Sequence, residues 1–391
     1  MQEAKHNKQL RILHVMSGFG GGISSFILNK AKQMPKYNVV FDVATYDQCS
    51  EEFEQAIQAT GGRIFRLINP KKKGFKAFQT SFSKPFEEET YDLVHCHIEG
   101  YRALPYYRIA KKYGVNRFYI HAHLVNDYKI NNKKDQFIFS LNQKLNTYLS
   151  TDIVGCGRLA IKSVFGSKTD LNNAMVIPNS IDLKEYANSK DNYAEYRKTG
   201  RERYNLSEDT LVIGHVGRLM PVKNHDKTFE IAKTIQNSNV NAKILIIGSG
   251  NLEAELKAKA EELGILDTVI FTGRINPISE FYPALDVLLL PSFTEGLPTT
   301  VVEVQGAGVP TVMSDTITTE VDLGLGMVAT CKLGDSGQTW LDSLQQVAGT
   351  TILPLEKRLD ALENNHFSNE ASAKLYVDFF EGKINDFQLN K

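Results

Sequence analysis

The sequence contains only four cysteines among 391 residues, and they lie far apart, at Cys49, Cys96, Cys156 and Cys331. None belongs to a Cys-x-x-Cys pair, so we expect neither a disulfide framework nor a cysteine-based zinc site. No run of about 18 apolar residues occurs, and the N-terminus lacks the apolar core of a signal peptide. These absences favour a cytoplasmic protein, and any membrane contact would be peripheral, at the inner face.

Net charge is also missing, because Lys plus Arg and Asp plus Glu each number 45. The total charge therefore indicates no nucleic-acid partner. The first 180 residues carry 25 basic and 15 acidic side chains, or +10, and the remainder carries 20 and 30, or −10. A basic first half suits an anionic membrane or an acidic lipid-linked ligand, and it equally suits two lobes that attract each other. Residues 69–84, with five lysines and three phenylalanines, either rest on an anionic bilayer or form an ordinary solvated loop and helix.

Short strand-like segments alternate with helix-like segments throughout the chain, which predicts an α/β fold with parallel sheets. The predicted strands of the first half are 11–16, 39–45, 63–67, 92–97, 117–123 and 152–157, and those of the second half are 211–218, 242–250, 268–274, 287–292 and 310–315. Two such series indicate two doubly wound, Rossmann-like domains, at 1–185 and 186–368, with a mobile polar linker at about 185–207. A helix at 369–391 either completes the second domain or crosses back onto the first.

Ligands of doubly wound sheets bind at the carboxyl ends of the strands, so the loops after strands are the candidate sites. The first such loop contains Gly20, Gly21 and Gly22, after which a helix is predicted to open near Ser24. Glycine lets the backbone approach a ligand closely, and a helix N-terminus favours a phosphate or a sugar. The alternative is that these glycines only allow a tight turn. The spacing does not fit G-x-G-x-x-G, because the third position is Ile23.

Two loops of the second half carry charged side chains. Arg218 and Lys223 lie five residues apart in "GRLMPVK" and could converge on one anion, such as a departing diphosphate. Glu295 and Glu303 flank "GLPTTVV", where Pro298 is predicted to begin a helix with free amides near Gly296 to Thr300. A phosphate at those amides, held between two acids that accept hydrogen bonds from sugar hydroxyls, would explain the pattern. The alternatives are a solvated basic loop and acids that complement the helix dipole.

The motifs "EGLPTTVVE", "VGRLMPVKNH", "IIGSG", "VIFTGR" and "VIPNSIDLKEY" together resemble the retaining glycosyltransferases of family four, glycosyl transferases group 1, which have the GT-B fold of two Rossmann-like domains facing across a cleft. The stretch from "VHCHIEGYRALPYY" to "HAHLVND" is similar to the capsular and exopolysaccharide branch. The resemblance covers nearly the whole chain.

The resemblance implies a role for individual residues. Arg218 and Lys223 would neutralise the donor diphosphate, Glu295 would contact donor sugar hydroxyls, and Glu303 would hold the ribose. The remaining donor contacts that it implies are Gly20, Gly21 and Gly22 at the diphosphate, Gly296, Leu297, Thr299 and Thr300 at sugar and phosphate, and Arg274 and Ile275 at the base.

Histidines at strand ends in the first half are the remaining candidates. The resemblance implies that a histidine of "HAH" reaches the donor sugar, and we prefer His123 to His121 because a polar loop follows it directly. His97 is a weaker candidate for an acceptor contact, and a packed strand end explains it equally well. His14 lies inside a strand, and we expect it to be buried and hydrogen-bonded.

The implied function is retaining transfer of a hexose or N-acetylhexosamine from a nucleotide sugar, with UDP favoured, to a glycan or lipid-linked acceptor in surface polysaccharide biosynthesis. No Asp-x-Asp pair occurs in the sequence, so no metal and no cofactor beyond the nucleotide sugar are expected. A catalytically silent partner of another transferase, a sugar-nucleotide epimerase and a phosphorylase remain alternatives. A nicotinamide oxidoreductase is the weakest, because the glycine spacing fails.

Overall fold

The computed structural model describes residues 9–125, 132–187 and 189–387. It divides the chain into two units, one formed by residues up to Ser180 together with those from His366 onward, and the other by Ile181–Asn365. The boundaries therefore fall at 180/181 and 365/366 rather than at the predicted 185/186 and 368/369.

The first unit is built on one parallel sheet of seven strands in the order β3-β2-β1-β4-β5-β6-β7. Its strands are β1 Leu10–Val15, β2 Val39–Thr45, β3 Ile64–Arg66, β4 Leu93–Cys96, β5 Arg117–Ala122, β6 Ile153–Gly155 and β7 Ala174–Val176. Its helices are α1 Gly22–Ala31, α2 Glu51–Ala59, α3 Pro70–Glu88, α4 Leu104–Lys112, α5 Lys133–Leu149, α6 Arg158–Phe165 and, near the C-terminus, α14 Asn369–Phe380. Every residue of β2 is buried, as expected for a strand covered by helices on both faces.

The second unit has a parallel sheet of six strands in the order β10-β9-β8-β11-β12-β13. Its strands are β8 Leu211–Val216, β9 Ala242–Ile247, β10 Val269–Gly273, β11 Val287–Leu290, β12 Thr311–Ser314 and β13 Val328–Cys331. Its helices are α7 Leu183–Ala187, α8 Ser189–Glu202, α9 His225–Gln236, α10 Glu253–Glu262, α11 Thr299–Ala307, α12 Gly337–Ala348 and α13 Leu355–Asn364. The predicted α/β class with two doubly wound domains is confirmed.

The elements differ from the prediction in three respects. The predicted strands are all present, β1 and β2 at their predicted lengths and the others shorter, and β7 and β13 were not predicted. The predicted linker at 185–207 is instead largely helical, because α8 is fixed to the second sheet: Arg201 Nη2 donates to both carboxylate oxygens of Asp286 at 2.7 Å. Asp286 also accepts a hydrogen bond from the backbone N–H of Val212 at 2.7 Å, so the same carboxylate holds α8 and β8 together.

The C-terminal helix α14 belongs to the first unit. Ser368 caps its N-terminus, and Tyr376, Phe379 and Phe380 pack into the core of that unit. Burying each such side chain contributes about 1.5–3 kcal/mol. The following backbone pairs with β7, where Val176 N donates to Phe387 O at 2.9 Å. The chain therefore returns to the first sheet after completing the second.

Candidate functional site

In the second unit, the loops after β8 and β11 bring Lys223 and Glu295 together. Lys223 Nζ donates to Glu295 Oε1 at 2.7 Å, and both side chains are mostly buried, with exposed fractions of 13% and 16%. The two loops are also joined through their backbones, since Phe293 N donates to Val222 O at 2.9 Å. Parallel strands place their carboxyl ends at one edge of the sheet, which is why residues 72 apart in sequence meet here.

Glycines allow the backbones of the loops beneath Lys223 to lie close together. A Cβ on Gly248 would lie 1.9 Å from Gly217 O, and one on Gly250 would lie 2.2 Å from Leu219 O, so only glycine fits at either position. A Cβ on Gly217 would lie 2.8 Å from Lys223 Cε. The "GSG" turn after β9 thus supports the phosphate-loop candidate, a role that its sequence alone did not reveal.

Arg218 is exposed, and within the described ranges it has no ion-pair or hydrogen-bond partner. A guanidinium in this state is free to bind an anion beside Lys223. Arg274, also exposed, and half-buried Ile275 directly follow β10 at the same edge of the sheet.

Helix α11 begins at Thr299 with Pro298 at its N-cap, one residue later than predicted. No side chain caps this end and no acid occupies its first turn, as far as the described residues show. The first amides of the helix therefore remain available to an anion, beside buried Leu297 and half-buried Gly296 and Thr300.

Glu303 lies inside α11 and is half-buried. It accepts a hydrogen bond from Tyr282 Oη, and the net effect of its surroundings, chiefly burial, raises the pKa of its carboxyl. Tyr282 thus orients one oxygen of the acid that the family resemblance assigns to the ribose. No motif in the sequence indicated this partner, which lies 21 residues earlier.

A histidine pair lies close to the Lys223 loop. The rings of His215 and His225 stack with centroids 4.5 Å apart, and His215 Nδ1 lies 2.8 Å from Thr228 Oγ1. Burial, with a smaller contribution from the charge of Lys223, lowers the pKa of both imidazoles, to about 4 for His225. Both rings are therefore neutral near pH 7 and serve as packing for the loop.

In the first unit, the glycine loop after β1 depends on left-handed backbone at Gly20 and Gly21, whose φ angles are 98° and 94°. Ser24 Oγ accepts from Gly20 N at 3.0 Å and donates to Gly21 O at 2.9 Å. Helix α1 begins at Gly22, two residues before the predicted start near Ser24. The tight turn accounts for Gly20 and Gly21, and ligand contact by this loop remains a prediction.

Five histidines gather at the carboxyl ends of the neighbouring strands β1, β4 and β5. His14 pairs in register with His95 on β4, and alternation along each strand places His97 beside His95 and His123 beside His121. Helix α14 adds Tyr376, whose hydroxyl lies 3.0 Å from His95 Nδ1. The residues joined by hydrogen bonds, called the histidine network below, are His14, His95, His97, His121, His123 and Tyr376.

Exposure distinguishes the two histidines of "HAH". His121 lies within β5 and is 2% exposed, whereas His123 lies just beyond the strand end and is half-buried. His14 is fully buried and hydrogen-bonded, as expected. The polar loop used to prefer His123 lies partly at residues 126–127, outside the described residues.

Comparison with known proteins identifies the family. Residues 197–322 match the family model "Glycosyl transferases group 1". The chain is also 30% identical over 351 residues to a Bacillus subtilis (strain 168) protein named as the glycosyltransferase EpsF, covering 88% of this chain and 89% of that one. This chain belongs to the glycosyl transferases group 1. The predicted family is therefore confirmed, and the protein is a glycosyltransferase whose relatives include proteins named for polysaccharide biosynthesis.

Other relatives agree with this assignment. The glycosyltransferase is 27% identical over 245 residues, 60% of each chain, to the Escherichia coli UDP-Gal:α-D-GlcNAc-diphosphoundecaprenol α-1,3-galactosyltransferase. Its fold matches Anabaena HepE, solved in complex with UDP and glucose, with a TM-score of 0.74 at 14% identity over 95% of this chain and 99% of that one. The predicted GT-B fold class is confirmed.

The lysine-rich segment 69–84 of this glycosyltransferase lies mostly in α3, Pro70–Glu88. Phe78 and Phe82 are buried and pack against Tyr106, so of the three phenylalanines only Phe75 is exposed. Large exposed apolar side chains lie instead along α5, at Phe137, Ile138, Leu141 and Tyr148. Among the described residues, no helix combines the length and the apolar character needed to cross a membrane.

Proposed function

We propose that this glycosyltransferase transfers a hexose or N-acetylhexosamine from a UDP-sugar to a glycan or lipid-linked oligosaccharide, with retention of anomeric configuration. Contact between Lys223 and Glu295, beside the uncapped N-terminus of α11, carries the proposal. It joins a cation suited to a diphosphate with a carboxylate suited to sugar hydroxyls. The donor named for the E. coli relative and the UDP and glucose bound to HepE support a UDP-sugar.

In this mechanism, Arg218, Lys223 and the amides of α11 stabilise negative charge as it develops on the departing diphosphate. Electrostatic groups aimed at developing charge usually supply the largest catalytic contribution. The leaving phosphate accepts the proton of the acceptor hydroxyl on the same face as the attack, so no protein nucleophile is needed. Glu295 orients the donor sugar through its hydroxyls, and Glu303, held by Tyr282, binds the ribose.

No metal ion or further cofactor is part of this proposal. The cationic groups of the site are Arg218 and Lys223, and the sequence offers no Asp-x-Asp pair to bind a divalent ion at a diphosphate. Turnover should accordingly persist in a chelator such as EDTA. Loss of turnover in EDTA, restored by Mg²⁺ or Mn²⁺, would contradict metal independence.

The acceptor side of the proposal places the enzyme at an anionic bilayer through α5. Its exposed apolar side chains are accompanied by exposed Lys133, Lys134 and Lys144 on the same helix. Apolar groups that enter the boundary region, with lysines beside anionic headgroups, are the features of an interfacial helix. The E. coli relative, whose named acceptor carries diphosphoundecaprenol, supports a lipid-linked acceptor.

The experiment is a panel of nucleotide sugars, followed by thermal stabilisation and by nucleotide release without added metal. A ligand at 100 times its Kd should add about 2.7 kcal/mol of stability. We expect one UDP-sugar to stabilise the protein and to be cleaved slowly to UDP, with Glu295→Ala and Lys223→Ala losing the response. Anomeric configuration of the product, read by NMR, tests retention. Binding of none of the sugars would refute the proposal.

A further inference from the structure

The histidine network forms one unbranched series of hydrogen bonds through the core of the first unit. Its members are fully buried or nearly so, except for half-buried His123 at one end. The contacts are His121 Nδ1 to His95 Nε2 (3.0 Å), His95 Nδ1 to Tyr376 Oη (3.0 Å), Tyr376 Oη to His14 Nε2 (3.3 Å), His14 Nδ1 to His97 Nε2 (3.0 Å) and His97 Nδ1 to His123 Nε2 (2.7 Å).

All five imidazoles of the network are neutral near pH 7. Burial lowers the pKa of His14 and His123 to about 3, and burial together with neighbouring positive charge lowers the pKa of the other three well below 6.5. A neutral imidazole has one N–H and one bare nitrogen, and a phenol has one O–H. Each inner member must therefore donate on one side and accept on the other.

This count leaves only two states of the whole network. If one inner member were reversed, one of its contacts would hold two hydrogens and the other would hold none. All members therefore donate in the same direction along the network. In one state His121 and His123 both carry their proton on Nε2, and in the other state both carry it on Nδ1.

The far end of the network selects between these states. His121 Nε2 is buried and has no hydrogen-bond partner within the described part of the chain. A proton there would leave a buried donor without an acceptor, and a bare nitrogen would leave a buried acceptor without a donor, so the nearby charge decides between the two states. Lys30 Nζ is fully buried and lies 4.6 Å from the centroid of the Phe26 ring, and the same ring packs against His121 with centroids 4.7 Å apart. Burial lowers the pKa of Lys30 to about 7, and the positive charge that it keeps at and below this pH disfavours an N–H on that side of His121 and favours a bare nitrogen.

We propose that each member of the histidine network donates its hydrogen bond in the direction from His121 to His123. His123 then carries its proton on Nδ1 and accepts at Nε2 from His97. Tyr376 of α14 is then a positioning residue, because it joins the two halves of the network. His123 presents a single N–H donor to a substrate oxygen. This last step rests on the proposed function, together with the contact between His123 and the donor sugar that the family resemblance implies; the direction of the network rests on neither.

A metal ion held by the same residues is the competing interpretation. Ring nitrogens lie within 4.8 Å of one another in two groups, His14 with His95 and His97, and His97 with His121 and His123, and imidazole is a common transition-metal ligand. In the first group, both nitrogens of every ring already form the hydrogen bonds of the network. In the second group, the rings of His121 and His123 lie face to face, with centroids 4.3 Å apart and planes at 13°. The lone pair of an imidazole lies in the plane of its ring, so these two cannot aim at one ion.

The test is a long-range ¹H–¹⁵N correlation spectrum of protein labelled with ¹⁵N-histidine, which separates protonated from bare ring nitrogens. Single His→Ala variants assign the nine histidines. We expect His121 and His123 to show Nδ1–H only at pH 7, and EDTA to change neither pattern. The wild-type spectra are sufficient for this test: a proton on Nε2 of His123, or a pattern that changes on chelation, would overturn the proposal.

Tyr376→Phe cuts the network at its centre without touching His123. We expect His123 to change from one tautomer to a mixture, because the His14 half no longer depends on the His121 end. Tyr119→Phe is the matched control: its buried hydroxyl, 3.2 Å from Arg117 Nε, lies in the same unit and outside the network. An unchanged His123 pattern in folded Tyr376→Phe would refute the coupling.

Kinetics link the network to transfer. We expect Tyr376→Phe to lower kcat about tenfold, as for other partners that orient a functional imidazole, with donor KM little changed. In a His123→Ala background the same substitution should cost nothing further, because its effect acts through His123. If the wild type turns over no UDP-sugar, the proposed function fails, but the spectra still test the direction of hydrogen-bond donation in the network. Full additivity of the two substitutions would refute positioning by Tyr376.

Discussion

Replacing Lys223 by Met should slow sugar transfer strongly while the protein remains folded. Its ammonium is a candidate stabiliser of the departing diphosphate, and removing one such group costs about 2.7–4 kcal/mol in the barrier, or 10²–10³ in kcat. Its pairing with Glu295 is mostly buried, so its loss should cost more stability than that of an exposed pair, about 0–1 kcal/mol, and less than that of a fully buried one, about 3–5 kcal/mol. Methionine keeps most of the side-chain volume, so the packing against Gly217 is retained.

Lys227→Met provides the matched control for this prediction. Lys227 lies on neighbouring α9 and pairs with Glu230 at 2.5 Å and with Asp335 O at 2.9 Å, in an ion pair that the proposed mechanism does not use. Both variants should lower Tm by a few degrees, since 1 kcal/mol shifts Tm by about 2–4 °C in a unit of this size. Only Lys223→Met should lose UDP release. Equal kcat in the two variants would refute the assignment of Lys223 to the diphosphate.

Two further predictions concern the loop and the membrane surface. Gly217→Ala should displace the Lys223 side chain, whose Cε lies 2.8 Å from the added Cβ, and lower kcat by about 10²-fold, whereas Gly334→Ala, with nothing within 4 Å, should not. Steady-state kinetics of UDP release would show this, and equal rates in the two variants would contradict it. Phe137→Ser should weaken co-sedimentation with anionic vesicles, whereas Phe75→Ser on α3, also exposed, should have little effect. Equal loss by both variants would argue against α5 as the contact.

Local sequence was sufficient to predict the fold class and most of the strands. Runs such as "VVFDVAT" in β2 are apolar and β-branched along their length, and their alternation with helical segments indicates parallel sheets. The same local pattern failed for residues 185–207. Their composition is polar and charged, yet Arg201 is buried against Asp286, 85 residues away, and that distant partner makes the segment part of the fold.

The candidate site divides in the same way. Arg218, Lys223, Glu295 and Glu303 could be named from their motifs, because charged residues beside glycine and a helix start are unusual over a short stretch. Their pairing could not, since Lys223 meets Glu295 only when β8 and β11 lie side by side in the sheet.

The sequence by itself determined where charged and flexible residues follow strands, and hence which loops carry the site. Tertiary structure alone decided which of these residues are joined and in what protonation state. Tyr376 lies 281 residues after His95, and the hydrogen bond between them exists only because α14 returns to the first sheet. Burial there makes the histidines neutral, because a charged imidazole loses its hydration in the core. No local pattern contains that information.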